Sequence, residues 1–211
     1  MSRFETSKFV RNNAVMNREC LIQACEQLGW KYVTHGTDEL LVTGIGVNQQ
    51  FYGEYALRVK GSDVTYNTYY LGNAREFVEQ LQSVYNKLDV EYSKNMIINQ
   101  FKAKGFTYKS NDKFVETAAE KVSFYMVGRS KDKTETEPVG QIKFTILDDG
   151  TVISDSNYLS DDVNKRAHAA MDEVDLHFSS KRVMTKKEIP LKYRNRINKS
   201  KLQQTQTLNR K

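Results

Sequence analysis

The N-terminal third of the chain shows one helical hydrophobic pattern among several strand patterns. Asn17 is a suitable N-cap residue, and apolar residues follow it at helical spacing as far as Gly29. Glycine after the last turn favours the left-handed conformation that ends a helix, so a helix is predicted between these two residues. Lys60-Gly61-Ser62 is typical of a hairpin turn. The predicted strands are residues 3–10, 30–34, 39–47, 54–59 and 63–70.

Two further helical patterns follow, with a second series of strand patterns behind them. Asn73 and Glu76 have capping-box spacing, and the apolar face after them predicts a helix as far as Leu88. A separate helical stretch covers residues 92–101 and stops at Gly105. The remaining predicted elements are strands at residues 106–109, 121–127, 142–146 and 152–158, a hairpin turn at Asp149-Gly150, and a last helix capped by Ser160.

A short internal repeat relates the two halves of this pattern. Leu28-Gly29-Trp30-Lys31-Tyr32 and Lys104-Gly105-Phe106-Thr107-Tyr108 each join a helix to a strand through a glycine and an aromatic residue. The repeat predicts that Gly29 and Gly105 are equivalent residues with positive φ. It indicates an α+β fold in which a ferredoxin-like β-α-β-β unit is duplicated, with two helices joined between the halves.

The elements and the charge pattern divide the chain into four parts. We expect a duplicated α+β domain at residues 1–128, a charged linker at 129–138 and a ββα module at 139–178. Residues 179–211 contain eleven Lys and Arg and one acid, Glu188, so this basic tail carries +10 in a chain of net charge +6. Because its apolar residues are sparse, the basic tail is predicted to be mostly disordered.

The basic tail has two interpretations. It is either a solubilising extension or an electrostatic arm that binds nucleic acid or an acidic protein surface. Tyr193 is its only aromatic residue, so contacts with phosphate are expected rather than base stacking. The candidate phosphate contacts are Lys181, Arg182, Lys186, Lys187, Lys192, Arg194, Arg196, Lys199 and Lys201.

Tyrosine is abundant, with twelve among 211 residues, and five of them lie between residues 51 and 70. Tyrosine is enriched at protein interfaces because it brings a large ring and a hydroxyl group. Strand alternation places Tyr66 and Tyr70 on one sheet face and Tyr69 on the other, so one face is expected in the core and the other in an interaction patch. The alternative is that the hydroxyl groups only reach solvent at the sheet edge. The candidate protein interface is Tyr52, Tyr66, Tyr69 and Tyr70.

Few residues have the spacing that catalysis or a cofactor requires. The sequence contains no P-loop and no Gly-x-Ser-x-Gly elbow, and its three histidines are scattered. Cys20 and Cys25 fall within the first helical pattern, where they are expected to pack as small apolar side chains. Neither a membrane-spanning run of about eighteen apolar residues nor a signal-peptide pattern occurs, so a cytoplasmic location is expected.

Five aspartates between residues 148 and 162 form the strongest candidate for a metal site, because carboxylates are the ligands that Mg²⁺ and Ca²⁺ prefer. Asp149 is explained by the hairpin turn, and Asp161 and Asp162 by the N-terminus of the last helix. We therefore expect no metal, no cofactor and no catalytic residue. The alternative is a metal-dependent enzyme that uses Asp148, Asp149, Asp155, Asp161 and Asp162.

Several of these segments resemble a conserved open-reading-frame family of unknown function from plastid and cyanobacterial genomes. The similarity covers residues 1–128 and rests on the order and spacing of its landmarks. These are the start MSRF, the helix end Leu28-Gly29, Tyr55-Ala56-Leu57-Arg58-Val59 before a Gly-Ser-Asp turn, Tyr69-Tyr70-Leu71-Gly72, and the stretch from Phe77 through Tyr92 to Gly105-Phe106.

Residues 140–175 resemble a small companion ββα family of unknown function, through Gln141-Ile142-Lys143-Phe144-Thr145-Ile146, Asp149-Gly150 and a capped helix. That family has a Gly-x-x-Cys element before its helix, whereas this chain has Leu159-Ser160-Asp161-Asp162, so no thiol role carries over. The genes of both families often lie near a MoxR-type AAA+ ATPase, which implies an accessory or adaptor role. A joined, shortened form with a basic tail is consistent with a bacteriophage source, and hence with the host-cell cytoplasm, or with the stroma for a plastid source.

From the residues and the resemblance we expect a non-enzymatic binding or adaptor protein whose partner is a protein, with a MoxR-type AAA+ ATPase as one candidate. The alternative function is a nucleic-acid-associated protein that contacts phosphates through the basic tail. No membrane partner is expected.

Overall fold

The computed structural model describes residues 4–10, 16–45, 55–68, 71–131, 139–156, 159–178, 181–186 and 204–209. Within these residues the protein is α+β, with three helices and two antiparallel sheets. The chain divides into two compact units, Met1–Tyr92 (unit 1) and Ser93–Lys211 (unit 2).

Unit 1 consists of one antiparallel sheet and the helices that cover one of its faces. The sheet is a meander of four strands, and the first strand of the chain pairs with the last strand of the meander in the order β1-β5-β4-β3-β2. Its elements are β1 (Phe4–Lys8), α1 (Arg18–Gln27), β2 (Lys31–His35), β3 (Glu39–Gly44), β4 (Leu57–Lys60), β5 (Asp63–Asn67) and the N-terminal part of α2 (Ala74–Ala103).

The two ends of α1 are fixed by the residues that the sequence indicated. The side-chain oxygen of Asn17 accepts hydrogen bonds from the amides of Glu19 and Cys20, which confirms the N-cap. At the other end Gly29 has a φ of 68°, and the amide of Trp30 donates to the carbonyl of Cys25 over 2.9 Å. This is the Schellman arrangement, and it satisfies carbonyl groups that the helix end would otherwise leave unpaired.

The two helical patterns after Asn73 form one helix, not two. Helix α2 runs unbroken from Ala74 to Ala103, so the predicted separation between Leu88 and Tyr92 is wrong. Neither glycine nor proline occurs within it, and Val90 is buried, so the apolar face continues between the two predicted helices. The division between the two units falls inside this helix, between Tyr92 and Ser93.

The core of unit 1 lies between the helices and one sheet face. Leu21, Ala24 and Cys25 of α1 are fully buried, as is Leu81 of α2. The hydroxyl of Tyr85 on α2 accepts the amide of Asn17 over 2.9 Å, so the second helix also holds the start of the first. The sheet contributes side chains at alternate positions, namely Leu40, Val42, Leu57, Val59, Val64 and Tyr66.

Unit 2 has a second antiparallel sheet, in the order β10-β11-β9-β8-β7-β6. Four of its strands again form a meander, and β11 pairs with β9 at the end of that meander. Its elements after α2 are β6 (Phe106–Ser110), β7 (Glu120–Arg129), β8 (Val139–Leu147), β9 (Val152–Ser156), α3 (Asp161–Phe178), β10 (Lys181–Lys186) and β11 (Gln204–Asn209).

Aromatic rings dominate the core of unit 2. Phe124 and Phe144 are cross-strand partners whose rings stack with centroids 5.4 Å apart. Phe101 of α2 meets the rings of Phe106 and Phe144 edge-on at 5.0 and 5.1 Å. Helix α3 is the predicted last helix, and it adds an apolar stripe formed by Val163, Ala167, Ala170, Met171 and Val174.

The structure places the domain boundary elsewhere than the sequence did. β7 and β8 lie on either side of the predicted linker at residues 129–138, and they pair from Glu120 to Arg129. The predicted ββα module at 139–178 therefore shares one sheet with β6 and β7 instead of standing alone. The charged residues of this segment led to its prediction as a linker, but the residues at its two ends, Arg129 and Val139, are register partners in β7 and β8.

The basic tail also departs from its prediction of general disorder. Lys181–Lys186 and Gln204–Asn209 are strands that pair with each other, and the second pairs with β9. The other residues of 179–211 lie outside the described part of the chain, including the segment after Pro190.

The ferredoxin-like duplication is not confirmed, because a β-α-β unit of that fold has parallel neighbouring strands and every pairing described here is antiparallel. A different repeat is present in the order of elements. In each unit a helix is followed by a glycine, a four-stranded meander and another helix, and α2 belongs to both series. Gly29 and Gly105 occupy equivalent positions, with φ of 68° and 83°, as predicted.

Replacing Gly29 with Ala is expected to lower the free energy of unfolding by about 1 kcal/mol, because a side chain is strained at positive φ. An added Cβ meets no atom within 4 Å there, so the backbone conformation alone is tested. Gly105→Ala should cost at least as much, because its Cβ would lie 3.3 Å from Arg166 Nη1. Gly72→Ala, which also has open space but no positive φ, is the control and should change little. Urea unfolding of all three variants measures this; equal stability of Gly29→Ala and Gly72→Ala would contradict it.

Candidate functional site

The helices cover one face of each sheet, so side chains at the intervening strand positions lie on the opposite face. We call these faces the open face of unit 1 and the open face of unit 2, since the helices of each unit lie on the other side of its own sheet. The open face of unit 1 carries Phe4, Thr6, Lys8, Val33, His35, Glu39, Leu41, Arg58, Lys60, Asp63 and Thr65. The open face of unit 2 carries Thr107, Lys109, Ser123, Tyr125, Val127, Gln141, Lys143, Thr145, Ile153 and Asp155.

Charges on the open face of unit 1 neutralise one another across neighbouring strands. Lys8 Nζ lies 2.7 Å from Asp63 Oδ1, and Arg58 Nε lies 2.5 Å from Glu39 Oε1. Lys60 Nζ is 4.0 Å from the other oxygen of Glu39. The hydrogen bond from Arg58 lowers the pKa of Glu39, which keeps this carboxylate ionised. Cations on this face therefore already have acidic partners within the same sheet.

Two exposed apolar side chains stand at opposite edges of the same face. Phe4 on β1 is 58% exposed and Val33 on β2 is 47% exposed. Leu41 occupies the strand between Val33 and Arg58, and it lies outside the unit 1 core although it is only 9% exposed. These three residues are the apolar component of the open face of unit 1.

One cross-strand row on the open face of unit 2 places an aromatic ring between two cations. Lys109 of β6 is the register partner of Tyr125 in β7, and Tyr125 is the partner of Lys143 in β8. We call these three residues the Tyr125 row. Tyr125 lies between Phe124 and Met126, which are both fully buried on the helix side, so strand alternation points it to the other side.

The residues of the Tyr125 row have no partner within the described part of the chain. Lys109, Tyr125 and Lys143 make neither an ion pair nor a side-chain hydrogen bond there. Lys109 is exposed, whereas Tyr125 and Lys143 are half-buried by their neighbours. Unlike the cations of the unit 1 face, these two lysines can meet an external anion without breaking an existing ion pair.

Asp155 of β9 is the register partner of Lys143, so it lies next to the Tyr125 row. Its Oδ1 atom is buried and accepts no hydrogen bond. Ser123 and Thr145, the register pair two positions along these strands, are buried, and the side-chain Nδ2 of Asn111 donates to the hydroxyl of Ser123 over 3.1 Å. Along this row of the sheet the two lysines therefore lie on β6 and β8, and the neighbouring position on β9 is acidic.

Tyr66 does not belong to the predicted protein interface. Tyr66 is 4% exposed and belongs to the unit 1 core, so its ring cannot be offered to a partner. The reason is its phase in β5, which it shares with buried Val64. Tyr52, Tyr69 and Tyr70 lie outside the described residues.

Three of the nine predicted phosphate contacts of the basic tail lie within the described residues, and six do not. Lys181, Arg182 and Lys186 lie in β10. The other six, outside the described residues, are Lys187, Lys192, Arg194, Arg196, Lys199 and Lys201.

The five aspartates occupy separate local roles. Asp149 Oδ1 accepts the amide of Thr151 over 2.9 Å in the turn before β9. Asp162 accepts hydrogen bonds from the Arg166 guanidinium and the Lys131 amide, and these bonds lower the pKa of its carboxyl. Asp161 is exposed in the first turn of α3, and Asp148 follows β8. No group of three or more His, Cys, Asp and Glu arranged to hold a metal occurs among the described residues.

The two cysteines are buried thiols of α1, as the helical pattern predicted. Burial, with a smaller effect of Glu26, raises the pKa of Cys25 to about 12. The thiolate, which is the reactive form, is therefore disfavoured at neutral pH. No helix in the described part of the chain is both long and apolar enough to cross a membrane.

Sequence reasoning missed the Tyr125 row, although part of its signal was visible. The alternation in residues 121–127 and 142–146 places Tyr125 and Lys143 out of phase with their apolar neighbours. What brings them together is the register between β7 and β8, and the intervening segment was interpreted as a linker.

Comparisons with protein-family models, with curated proteins and with solved structures find no match to this chain.

Both thiols should react slowly with a disulfide reagent such as DTNB in the native protein, because Cys20 and Cys25 are 2% and 0% exposed. In denaturant both should react at the rate of an ordinary thiol. At pH 9 the native reaction should still be far slower than the reaction in denaturant, because the raised pKa keeps the Cys25 thiol mostly protonated there. Rapid labelling of one thiol equivalent in the native chain would contradict the burial of α1.

Proposed function

We propose that this chain is a non-enzymatic binding protein that associates with nucleic acid through unit 2. The observation that supports this most is the excess of positive charge at its C-terminal end, eleven basic residues against one acid in residues 179–211. Such an excess attracts phosphates and displaces the counterions that surround them.

The position of the basic tail adds to this support. β10 and β11 belong to the unit 2 sheet. The first basic residues of the tail therefore lie within a strand of this sheet, β10, and not in a separate linker. The same sheet carries Lys109 and Lys143, which form no ion pair among the described residues. The open face of unit 1, whose cations are paired, lacks this feature.

Affinity for nucleic acid is expected to fall steeply with salt. With about five phosphate contacts, a fourfold rise in salt should weaken binding by a few hundredfold for duplex DNA and about a hundredfold for single strands. Fluorescence anisotropy with labelled oligonucleotides measures this dependence. Affinity that hardly changes with salt would contradict the proposed function.

The contribution of the basic tail is best tested by substitution, because deletion of residues 179–211 would also remove β10 and β11 from the sheet. A variant with Gln at all six basic positions between 187 and 201 should lose most of the salt dependence. Lys8→Gln with Lys60→Gln, which removes paired cations from unit 1, is the control and should bind as the unmodified chain does. Equal loss in both variants would indicate a general effect of net charge.

An adaptor that binds a protein is the second candidate function, and the open face of unit 1 favours it. Phe4 and Val33 are exposed on that face, and partly exposed apolar and aromatic side chains contribute much of the binding energy at protein interfaces. The MoxR-type AAA+ ATPase is a candidate partner only through the resemblance of the sequence, and that resemblance stays a prediction.

If the adaptor function holds, Phe4→Ser with Val33→Thr should abolish co-purification of a protein partner from nuclease-treated native cell extract. The six-Gln tail variant should retain that partner, because its unit 1 face is unchanged. Loss of the partner in the tail variant, with retention in the Phe4 and Val33 variant, would exclude the open face of unit 1 as the docking surface.

A further inference from the structure

We propose that the Tyr125 row is a subsite for single-stranded nucleic acid, in which a base stacks on Tyr125 and the adjoining phosphates contact Lys109 and Lys143. This subsite rests on the proposed association of unit 2 with nucleic acid, and it adds a defined place and a preference for unpaired strands.

The register of the sheet brings the required groups together. Neighbouring strands lie about 4.8 Å apart, so one lysine stands on each side of the Tyr125 ring, on β6 and on β8. Successive bases that stack on aromatic side chains, with cations along the backbone, are the general means by which proteins bind single strands. Tyr125 is half-buried, which limits the freedom of its ring. Less side-chain entropy is therefore lost when a nucleobase stacks on it.

The absence of ion pairs distinguishes the lysines of this row from the paired cations on the open face of unit 1. Lys8, Lys60 and Arg58 on the unit 1 face are held by carboxylates, so a phosphate would have to displace an ion pair there. Lys109 and Lys143 form no such ion pair among the described residues, although Asp155 neighbours Lys143 on β9. Charge complementarity therefore favours the open face of unit 2 over that of unit 1.

An aromatic ring on a sheet face, such as the half-buried ring of Tyr125, favours unpaired bases over a duplex. Within a duplex each base is already stacked and paired, and extrusion of a base costs free energy that a single strand does not require. Both RNA and single-stranded DNA supply the base and phosphate, so the shared chemistry does not depend on the sugar. A 2′-hydroxyl contact would appear as a preference for RNA in the measurement below.

Asp155 sets the limit of the subsite on the β9 side. Its carboxylate adjoins Lys143 and would repel a phosphate placed beyond it. The bound strand is therefore expected to contact β6, β7 and β8. Removal of this charge by Asp155→Asn should tighten binding, a change that simple damage to the fold would not produce.

The test uses the full chain and three labelled probes: a twelve-nucleotide oligo(U), the matching oligo(dT), and a twelve-base-pair DNA duplex. Tyr125→Ala should weaken binding of both single strands by roughly ten- to a hundredfold, whereas Tyr125→Phe, which keeps the ring, should bind nearly as the unmodified chain does. Duplex binding should change little in both variants. Lys109→Gln and Lys143→Gln should each reduce the slope of log K against log salt by about 0.7 on single strands.

Matched controls separate the subsite from general effects. Phe4→Ala removes an exposed aromatic ring from the unit 1 face and should leave binding unchanged. Circular dichroism and urea unfolding establish that each variant is folded; if Tyr125→Ala is not, Lys143→Gln and Asp155→Asn still give opposite expected changes in affinity.

Equal binding of single strands by Tyr125→Ala and the unmodified chain would overturn the subsite. With the salt dependence intact, that result would leave the proposed function standing on the basic tail alone. Equal losses in Tyr125→Phe and Tyr125→Ala would also overturn it, because the hydroxyl rather than the ring would then be responsible. Absence of binding to all three probes would overturn both the subsite and the proposed function.

Discussion

The geometry of unit 2 depends on the contacts of one side chain, the guanidinium of Arg166 on α3. Its Nη1 donates to the carbonyl of Lys104 at the end of α2 over 3.0 Å, and its Nη2 donates to the carbonyl of Arg129 at the end of β7. The same group is 2.9 Å from Asp162 one turn earlier and lies over the ring of Phe106 at 5.4 Å. A single cation thus ties the ends of a helix and a strand to the start of α3, and places both helices on the same side of the sheet.

Close packing of α3 depends on two glycines that face each other in β7 and β8. Gly128 and Gly140 are register partners, and added Cβ atoms there would lie 2.5 Å from Phe106 and 2.6 Å from Leu159. Both would also approach Val163 of α3, at 2.9 and 3.2 Å. The absence of side chains allows the helix to lie against the sheet. With this face occupied, the residues out of phase with it, Tyr125 and Lys143 among them, are assigned to the open face on which the proposed binding depends.

Local signals in the sequence predicted local structure well. Asn17 and Gly29 define α1, the turn at Gly61 joins β4 to β5, and Gly105 ends α2, because each depends only on residues a few positions away. The predicted break near residues 88–92 was wrong, because this stretch contains neither glycine nor proline and buried Val90 continues the apolar face of α2. The hairpin turn at Asp149-Gly150 correctly joined β8 to β9, but the unit boundary and the pairing of β7 with β8 could not be predicted, since that pairing crosses a charged segment.

The candidate site shows the same limit. Only the strand phase of Tyr66 shows that it faces the core and not an interface. Tyr125 became a candidate binding residue only because the sheet register places it between Lys109 and Lys143, which are distant in sequence.

Photocrosslinking tests the central claim most directly, with a single strand containing 4-thiouridine bound to the full chain and the crosslinked peptides mapped by mass spectrometry. The structure predicts a crosslink within β7 at Tyr125 that is lost in Tyr125→Ala. Crosslinks confined to residues 187–203, unchanged in that variant, would contradict it.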